Sequence, residues 1–397
     1  MLIKPNIEKF AKIKVVGVGG CGSNAVNTMI SGRNVLGVDF MAVNTDKQDL
    51  NLSKADEILQ IGVQLTNGLG SGAKPDIGKK AAEESKEEIK KHLDGYDMVF
   101  ITAGMGGGTG TGASPIVARV AKQDVGALTV AVVTKPFNFE GGQRMEHAEE
   151  GIRELRDVVD ALIVIPNQKL LEVEQKSLPL KEAFAFSDSV LTQGVRGISD
   201  LIVHPGLINV DFADVKTIMK EAGSALMGIG EASGDGRAEK AADMAIKSPL
   251  LDVDINGATG VLINIQGDES LTLSEVEIIS KKVSDSAGVD ANIIIGANTE
   301  SKEKEGLNVT VIATGFDSDY KEGFALPKYD YAPKTPQPTS NDGSAYASKD
   351  SNLDSSDDSN NFDDGPTQNN DTNPKIEKIE DDYFKDDLDI PPFLRKN

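Results

Sequence analysis

The sequence predicts an α/β protein: a mostly parallel sheet with helices on both faces, a long helix, a smaller α/β domain and a polar tail. Three observations carry that expectation. Apolar strand-like runs alternate with helical stretches as far as about residue 316, one long helical pattern has no strand of its own, and the remainder is acidic and polar. In chain order, strand-like runs fall at 13–18, 38–43, 98–102, 128–134 and 161–166, with helical stretches at 24–30, 78–93, 112–121 and 143–156. Strand, helix, strand repeated in this way predicts crossover units, and hence parallel strands. The pattern over 180–202 stands alone and reads as a joint. Beyond it, a helix at 215–220, strands at 225–228 and 260–266, a helix at 273–286 and strands at 291–295 and 307–314 predict the second domain.

From about Tyr320 to Asp382 the chain is Ser, Asn, Asp, Pro and Thr with few large apolar side chains. Such a segment buries too little surface to offset its ordering entropy and is predicted to be disordered. Its 63 residues would span ~45 Å r.m.s. as a flexible coil. Tyr383, Phe384, Leu388, Ile390, Phe393 and Leu394 then restore apolar groups with no core to enter. They read either as a frayed terminus or as a short motif that orders against a partner groove.

Composition narrows the function. The 397 residues carry Lys+Arg 41 against Asp+Glu 63, a net charge of -22, and 39% are hydrophobic, enough for a sizeable core. Past residue 318 there are 18 Asp/Glu and 9 Lys/Arg, so the tail holds a large share of the excess. A general binder of nucleic-acid backbone would need a basic face, which this balance argues against. No apolar run approaches the ~20 residues of a membrane span, and the amino terminus does not read as a signal peptide. One Cys excludes an internal disulfide and fits a reducing compartment, and with only three His beside it the composition argues against a soft-metal cage.

Two glycine-rich loops carry the chemistry. In Val15-Val-Gly-Val-Gly-Gly-Cys-Gly-Ser-Asn-Ala-Val26, Gly17, Gly19 and Gly22 fit G-x-G-x-x-G between a strand and a helix. Glycines let backbone amides approach an anion, and the helix start adds partial positive charge. One such loop predicts a dinucleotide fold, with Asp39 or Asp46 as its ribose acid. The second loop, Ala103-Gly-Met-Gly-Gly-Gly-Thr-Gly-Thr-Gly112, weighs against that, because a dinucleotide fold needs only one fingerprint. It is not a Walker loop either, for no Gly-Lys-Ser/Thr closes it. Two such loops at the carboxyl ends of two strands could hold one phosphate chain between them, Thr109 and Thr111 adding hydroxyl donors.

Gly106-Gly-Gly-Thr-Gly-Thr-Gly112 resembles the tubulin signature, and Gly19-Gly-Cys-Gly-Ser-Asn24 is similar to the other phosphate loop of the bacterial relatives. Lys135-Pro-Phe-Asn-Phe-Glu-Gly141, Ile165-Pro-Asn167, Asn209-Val-Asp-Phe-Ala-Asp214 and the terminal Asp389-Ile-Pro-Pro-Phe-Leu394 add further blocks in the same order. Over 13–316 the chain resembles the FtsZ family, the tubulin-like GTPases of bacterial cell division. The resemblance implies a Rossmann-like GTP-binding domain over 1–178, a central helix over 179–203 and a polymerisation domain over 204–317. An acidic linker over 318–381 and a partner-binding peptide over 382–397 would follow. It implies GTP and GDP as ligands, Mg²⁺ carried on the phosphates, and head-to-tail assembly into a ring at midcell in the cytoplasm. Membrane-tethering and regulatory proteins would bind at 383–397, without nucleic acid and without stable membrane insertion; Arg395 and Lys396 are too few cations to anchor a membrane.

Carried over by position, Gly19, Gly20, Cys21, Gly22, Ser23 and Asn24, with Gly106, Gly107, Gly108, Thr109, Gly110 and Thr111, would hold phosphates. Asn44 would lie near the ribose or the first loop, Glu140 and Arg144 at ribose and phosphate, and Asn167 and Asp188 at the guanine. A carboxylate suits guanine, which presents N1–H and an exocyclic amine side by side, whereas adenine has no such donor pair. The family sets Asn209, Asp211 and Asp214 against the γ-phosphate of the next subunit. Without the family, Asp188 reads as a solvated helix residue, and Asp211 with Asp214 as a capping box. Cys21, where the family often has glycine, is expected at negative φ as a tolerated small side chain. A helix start could lower its thiol pKa, although bound phosphate would oppose that. His92, His147 and His204 take no assigned role. A nicotinamide dehydrogenase and a non-catalytic nucleotide-binding scaffold remain the competing classes.

Overall fold

The computed structural model describes residues 11–316 apart from 33–34, 174–178, 205, 252–254, 289 and 300–305. The linker expected over 318–381 and the peptide over 382–397 lie outside these residues. The elements run β1 Ile13–Val18, α1 Gly19–Ser31, β2 Asp39–Asn44, α2 Lys47–Leu50, β3 Glu57–Gln60, α3 Val63–Thr66, α4 Pro75–Glu84 and α5 Lys86–Leu93. There follow β4 Met98–Gly104, α6 Thr109–Arg119, β5 Leu128–Lys135, α7 Gly142–Arg156, β6 Ala161–Pro166, α8 Asn167–Val173 and α9 Leu180–Val203. Last come α10 Phe212–Met219, β7 Gly223–Ala232, α11 Arg237–Ile246, β8 Gly260–Gly267, α12 Leu273–Ala287, β9 Asn292–Thr299 and β10 Leu307–Thr314.

Ten strands pair in the order β3-β2-β1-β4-β5-β6-β7-β10-β8-β9. The first seven in that order are parallel neighbours, as the alternation of strand and helix predicts. In the second half β10 runs antiparallel to both β7 and β8, while β8 and β9 are parallel. The strand and helix pattern there did not reveal that reversal, because period-2 apolar alternation is the same for either direction.

The sheet's two faces carry separate cores. Along β1, Ile13 and Val15 enter one apolar cluster and Val16 and Val18 the other, as the pleat requires. The first cluster also takes Val190, Leu191, Val195, Ile198 and Leu201 of α9, together with Met227, Leu262 and Ile312 of the later strands. The long helix is therefore the joint, buried against strands from both halves. On the opposite face α4 crosses α6 so closely that a Cβ on Gly112 would sit 1.9 Å from the Pro75 carbonyl oxygen. Lys14 is wholly buried at the amino end of β1, where Nζ donates to Glu57 and to the His92 carbonyl, both at 2.8 Å.

Several elements depart from the sequence expectation. The helix expected over 78–93 is two helices broken at Ser85, whose hydroxyl accepts from the Gly62 amide. β3 and α11 escaped prediction: β3 is only four residues on the sheet edge, and the buried stripe of α11 is alanine rather than large apolar side chains.

Candidate functional site

Strand order runs away from β1 and β4 in opposite directions, towards β3 on one side and β6 on the other. In an open parallel sheet the carboxyl ends of such a pair flank a crevice. Both glycine loops open into it: α1 begins directly after β1, and α6 begins just beyond β4. The loops touch. Gly19 has φ +72°, and a Cβ there would lie 2.8 Å from the Gly110 amide nitrogen. Neither α1 nor α6 has an acidic residue in its first turn, so two helix N-termini point their amides at one space without an internal counter-charge. That space is a cleft of about 650 Å³, within the range of small-molecule sites.

Gly19, Gly20, Cys21, Asn24, Asn44, Gly107, Gly108, Thr109, Gly110, Glu140, Arg144, Asn167 and Asp188 all line this cleft. Gly22, Ser23, Gly106 and Thr111, also named from the sequence, stand outside its lining. Gly22 serves helix-on-strand packing, since a Cβ there would meet the Thr102 carbonyl oxygen at 2.4 Å. Ser23 is buried, with no hydrogen-bond partner for its hydroxyl among the described residues. Thr111 turns inward to accept from the Gly106 amide at 2.8 Å, so this pair shapes the second loop.

The cleft also recruits residues the sequence reading passed over. Thr109 Oγ1 is a hub, 2.7 Å from Thr45 Oγ1 and 3.0 Å from Ser71 Oγ, which ties the second glycine loop to the turns after β2 and before α4. Neither turn carries a glycine fingerprint of the G-x-G-x-x-G kind. Asp49 on α2 accepts from Asn44 Nδ2 at 2.6 Å. Burial pushes its carboxyl up, the Asn44 bond pulls it down and the nearby Asp46 charge raises it again. Phe184 and Ser187 come from the first turns of α9. Phe184 was legible in principle, because it precedes Asp188 by one helical turn and shares its face.

At the far wall Ser187 Oγ donates to Asn167 Oδ1 at 2.8 Å, and both residues are buried. Beside them burial raises the Asp188 carboxyl to about 6. When ionised, that carboxylate offers two acceptor oxygens to a ligand with paired donors. Arg144 in the first turn of α7 bonds Glu140, whose other oxygen accepts from the Phe137 amide at 2.9 Å. Cys21 has no positive φ, and its Sγ lies 4.0 Å from Thr134 Oγ1. Burial, reinforced by Asp188, pushes the thiol up to about 12. Desolvation thus outweighs any helix-start effect, and the neutral thiol is a packing group.

Asn209, Asp211 and Asp214 are nowhere near this cleft. The cleft holds Asp188, in the first half of α9, and those three residues follow its other end. At ~1.5 Å per residue, the helix from Asp188 to Val203 carries the chain roughly 22 Å away. The loop there is fixed: Ile208 pairs with Ala297 of β9 through two backbone bonds of 3.1 and 3.2 Å, and Asn209 Oδ1 accepts from the Gly206 amide at 2.6 Å. Asp211 occupies the N-cap position of α10 in extended backbone, yet its side chain makes no capping bond. A capping box therefore does not occupy Asp211 and Asp214, and both are exposed. Among the described residues no group of three or more His, Cys, Asp or Glu could hold a metal ion.

Two family profiles match the chain: the GTPase domain of the Tubulin/FtsZ family over residues 12–175, and the C-terminal domain of the FtsZ family over 223–317. Among solved structures, an empty FtsZ dimer from M. jannaschii superposes with a TM-score of 0.75 at 48% identity, covering 78% of this chain and 89% of that one. A tryptophan-to-tyrosine mutant of FtsZ from the same organism gives 0.74 at 49%, covering 77% and 91%. A GTPγS-bound protofilament of CetZ2 from Haloferax volcanii shares the fold, with a TM-score of 0.65 at 23% identity over 79% of this chain and 96% of that one.

Proposed function

Because the chain belongs to the tubulin/FtsZ family of GTPases, we propose that it assembles head to tail into filaments and hydrolyses GTP between successive subunits. The observation that carries this reading is the distance between its two half-sites. The amide-lined cleft and the exposed acids of the 209–214 loop stand at opposite ends of α9, so one protomer cannot bring them together. A second copy stacked on the first can. Similarity to an FtsZ dimer supports self-association.

In this reading Gly19, Gly20 and Asn24 of the first loop and Gly107, Gly108, Thr109 and Gly110 of the second hold the phosphates. Glu140 and Arg144 hold the ribose end. Asn167 and Asp188 take the guanine, with Phe184 beside its ring. Asp211 and Asp214 of the next protomer orient a water in line with the γ-phosphorus. Its oxygen bonds to phosphorus as the bond to the β–γ bridging oxygen breaks, giving GDP and inorganic phosphate. Phosphoryl transfer asks chiefly for positioning and charge stabilisation, which a divided site supplies only on assembly. In this reading Mg²⁺ would be carried on the phosphates, where it would neutralise charge.

We further propose the division into 1–178, 179–203, 204–317, 318–381 and 382–397, with the last segment docking on membrane-tethering or regulatory division proteins at midcell. No helix among the described residues is long and apolar enough to cross a membrane. Removing 383–397 is expected to abolish such docking in a pull-down and leave sedimentation of polymer unchanged; lost polymer would contradict the assignment.

Light scattering of the purified chain with GTP, GDP or no nucleotide tests the assembly reading. Reversible scattering with GTP alone is expected. A scaffold would bind GTP without turnover, and a dehydrogenase would prefer a nicotinamide dinucleotide. Scattering that ignores the nucleotide would overturn the filament.

A further inference from the structure

A cleft that receives a polyanion should be positive, and this one is not. Its charged lining side chains are Asp46, Asp49, Glu140 and Asp188 against Arg144, which is already bonded to Glu140. Three of those acids have an engagement or a role. Asp46 Oδ1 accepts from the amides of Gln48 and Asp49 at the start of α2, Glu140 holds Arg144 and the Phe137 amide, and Asp188 faces the base end. Among the described residues the Asp49 side chain is engaged by Asn44 alone, and it differs from the others in its place beside the first loop. Its Oδ2 lies 3.5 Å from the point where a Cβ on Gly20 would stand, hard against the first glycine loop. The groups that act on it are Asn44 of β2, which donates to Oδ2, and Asp46 of the α2 cap, the charged neighbour. Among the described residues no cation pairs with it.

We propose that Asp49 takes up a proton when the phosphates of the nucleotide seat on the first glycine loop, so that this residue makes phosphate binding weaken as pH rises. The inference rests on the placement of phosphates at Gly19, Gly20 and Asn24 proposed above. An ionised carboxylate beside that loop repels a phosphate oxygen, and a like charge favours the neutral acid. Once protonated, Asp49 keeps its bond from Asn44 through Oδ2 and turns Oδ1–H into a donor to phosphate, a charge-assisted hydrogen bond in place of a repulsion. The proton comes from buffer, and no covalent bond to the nucleotide changes. Burial already raises the carboxyl of the free protein, so the uptake begins from a prepared group. Asp188 works in the opposite sense, since it must lose its proton to accept from guanine. The two are separable because guanosine has the base and no phosphate.

Titration calorimetry of GDP and guanosine in EDTA at pH 6.5, repeated in buffers of different ionisation enthalpy, counts the protons. The wild type and Asp49→Glu are expected to take up more protons with GDP than with guanosine. Asp49→Asn is expected to lose that excess and to bind GDP several-fold more tightly, with guanosine affinity unchanged. An equal excess in wild type and Asp49→Asn, or weaker GDP binding by Asp49→Asn, overturns the proposal while leaving the nucleotide site standing. Excess uptake that disappears on adding Mg²⁺ overturns it in favour of a metal ion at this position. Failure of the wild type to bind GDP at any pH overturns both this inference and the reading beneath it.

Discussion

Asp211→Ala and Asp214→Ala are each expected to retain GTP binding and to lose turnover by about 10²-fold or more, the scale on which a single transition-state contact acts. Both carboxylates are exposed at the start of α10, and neither is spent on a capping bond. Replacing an N-cap that bonds an amide costs ~1 kcal/mol, but here no such bond exists, so the melting temperature should scarcely move. That separates function from fold. A large drop in stability would mean that the acids support α10 after all, and unchanged phosphate release would remove the loop from the reaction. The same reasoning fixes how activity depends on concentration. With the cleft at one end of α9 and the acids at the other, phosphate release per molecule should collapse on dilution below the onset of polymer. Wild-type protein mixed with Asp211→Ala should show intermediate rates, because in the proposed filament each junction would draw its acids and its nucleotide from different copies.

Asp188→Asn is expected to weaken GTP binding ~10- to 100-fold near pH 7.5, on the order of the 1–3 kcal/mol that a bidentate base contact contributes. An amide accepts through its oxygen but presents a donor where guanine also donates, so half the recognition becomes a clash. The wild type carries its own version of this lesion at low pH. Burial raises Asp188 to about 6, and in the proposed site guanine would bind the ionised form. As pH falls through about 6 the carboxyl takes a proton and guanosine affinity should drop towards that of Asp188→Asn, whose own affinity should be flat over the same range. The unliganded protein responds in the other direction. A carboxyl raised above its ordinary value favours the folded state most at pH below the unfolded pKa, and that contribution is lost as pH rises through about 6. Guanosine titrations from pH 5 to 8 read the first effect, and thermal melts without nucleotide read the second. Parallel pH profiles for the two proteins would release Asp188 from the base.

Much of the fold was legible because parallel strands buried on both faces are written as continuous apolar runs. The runs at 13–18 and 161–166 agree with the parallel β1 and β6 to the residue, and 307–314 does the same for β10, which is antiparallel but equally apolar. Helix α9 stood out for the same reason, its length and apolar stripe being more than a surface helix needs. The edge strand β3 is too short to stand out, the buried stripe of α11 is alanine, and Ser85 breaks α4 from α5 where nothing local demands a stop. In the cleft, the glycine loops were legible in the residues themselves, whereas Glu140, Asn167 and Asp188 were named only through the family resemblance. Thr45, Asp49 and Ser71 were not legible, since a hydroxyl or carboxylate in a turn is ordinary until something is packed against it.

The sequence by itself determined the long apolar strands, the order in which they come and the two anion-ready loops, while the acids at 211 and 214 gained a role only through the family resemblance. Strands and loops are local properties, set by side-chain periodicity and by glycine's missing Cβ. Only the tertiary structure decided that Gly19 and Gly110 meet backbone to backbone, that Thr109 gathers hydroxyls from two other turns and that Gly22 and Thr111 hold the wall instead of facing the cleft. It also decided that Asp211 and Asp214 stand free at the far end of a rigid helix. Such facts depend on contacts between residues distant in sequence, which strand order and helix packing create and no local pattern encodes.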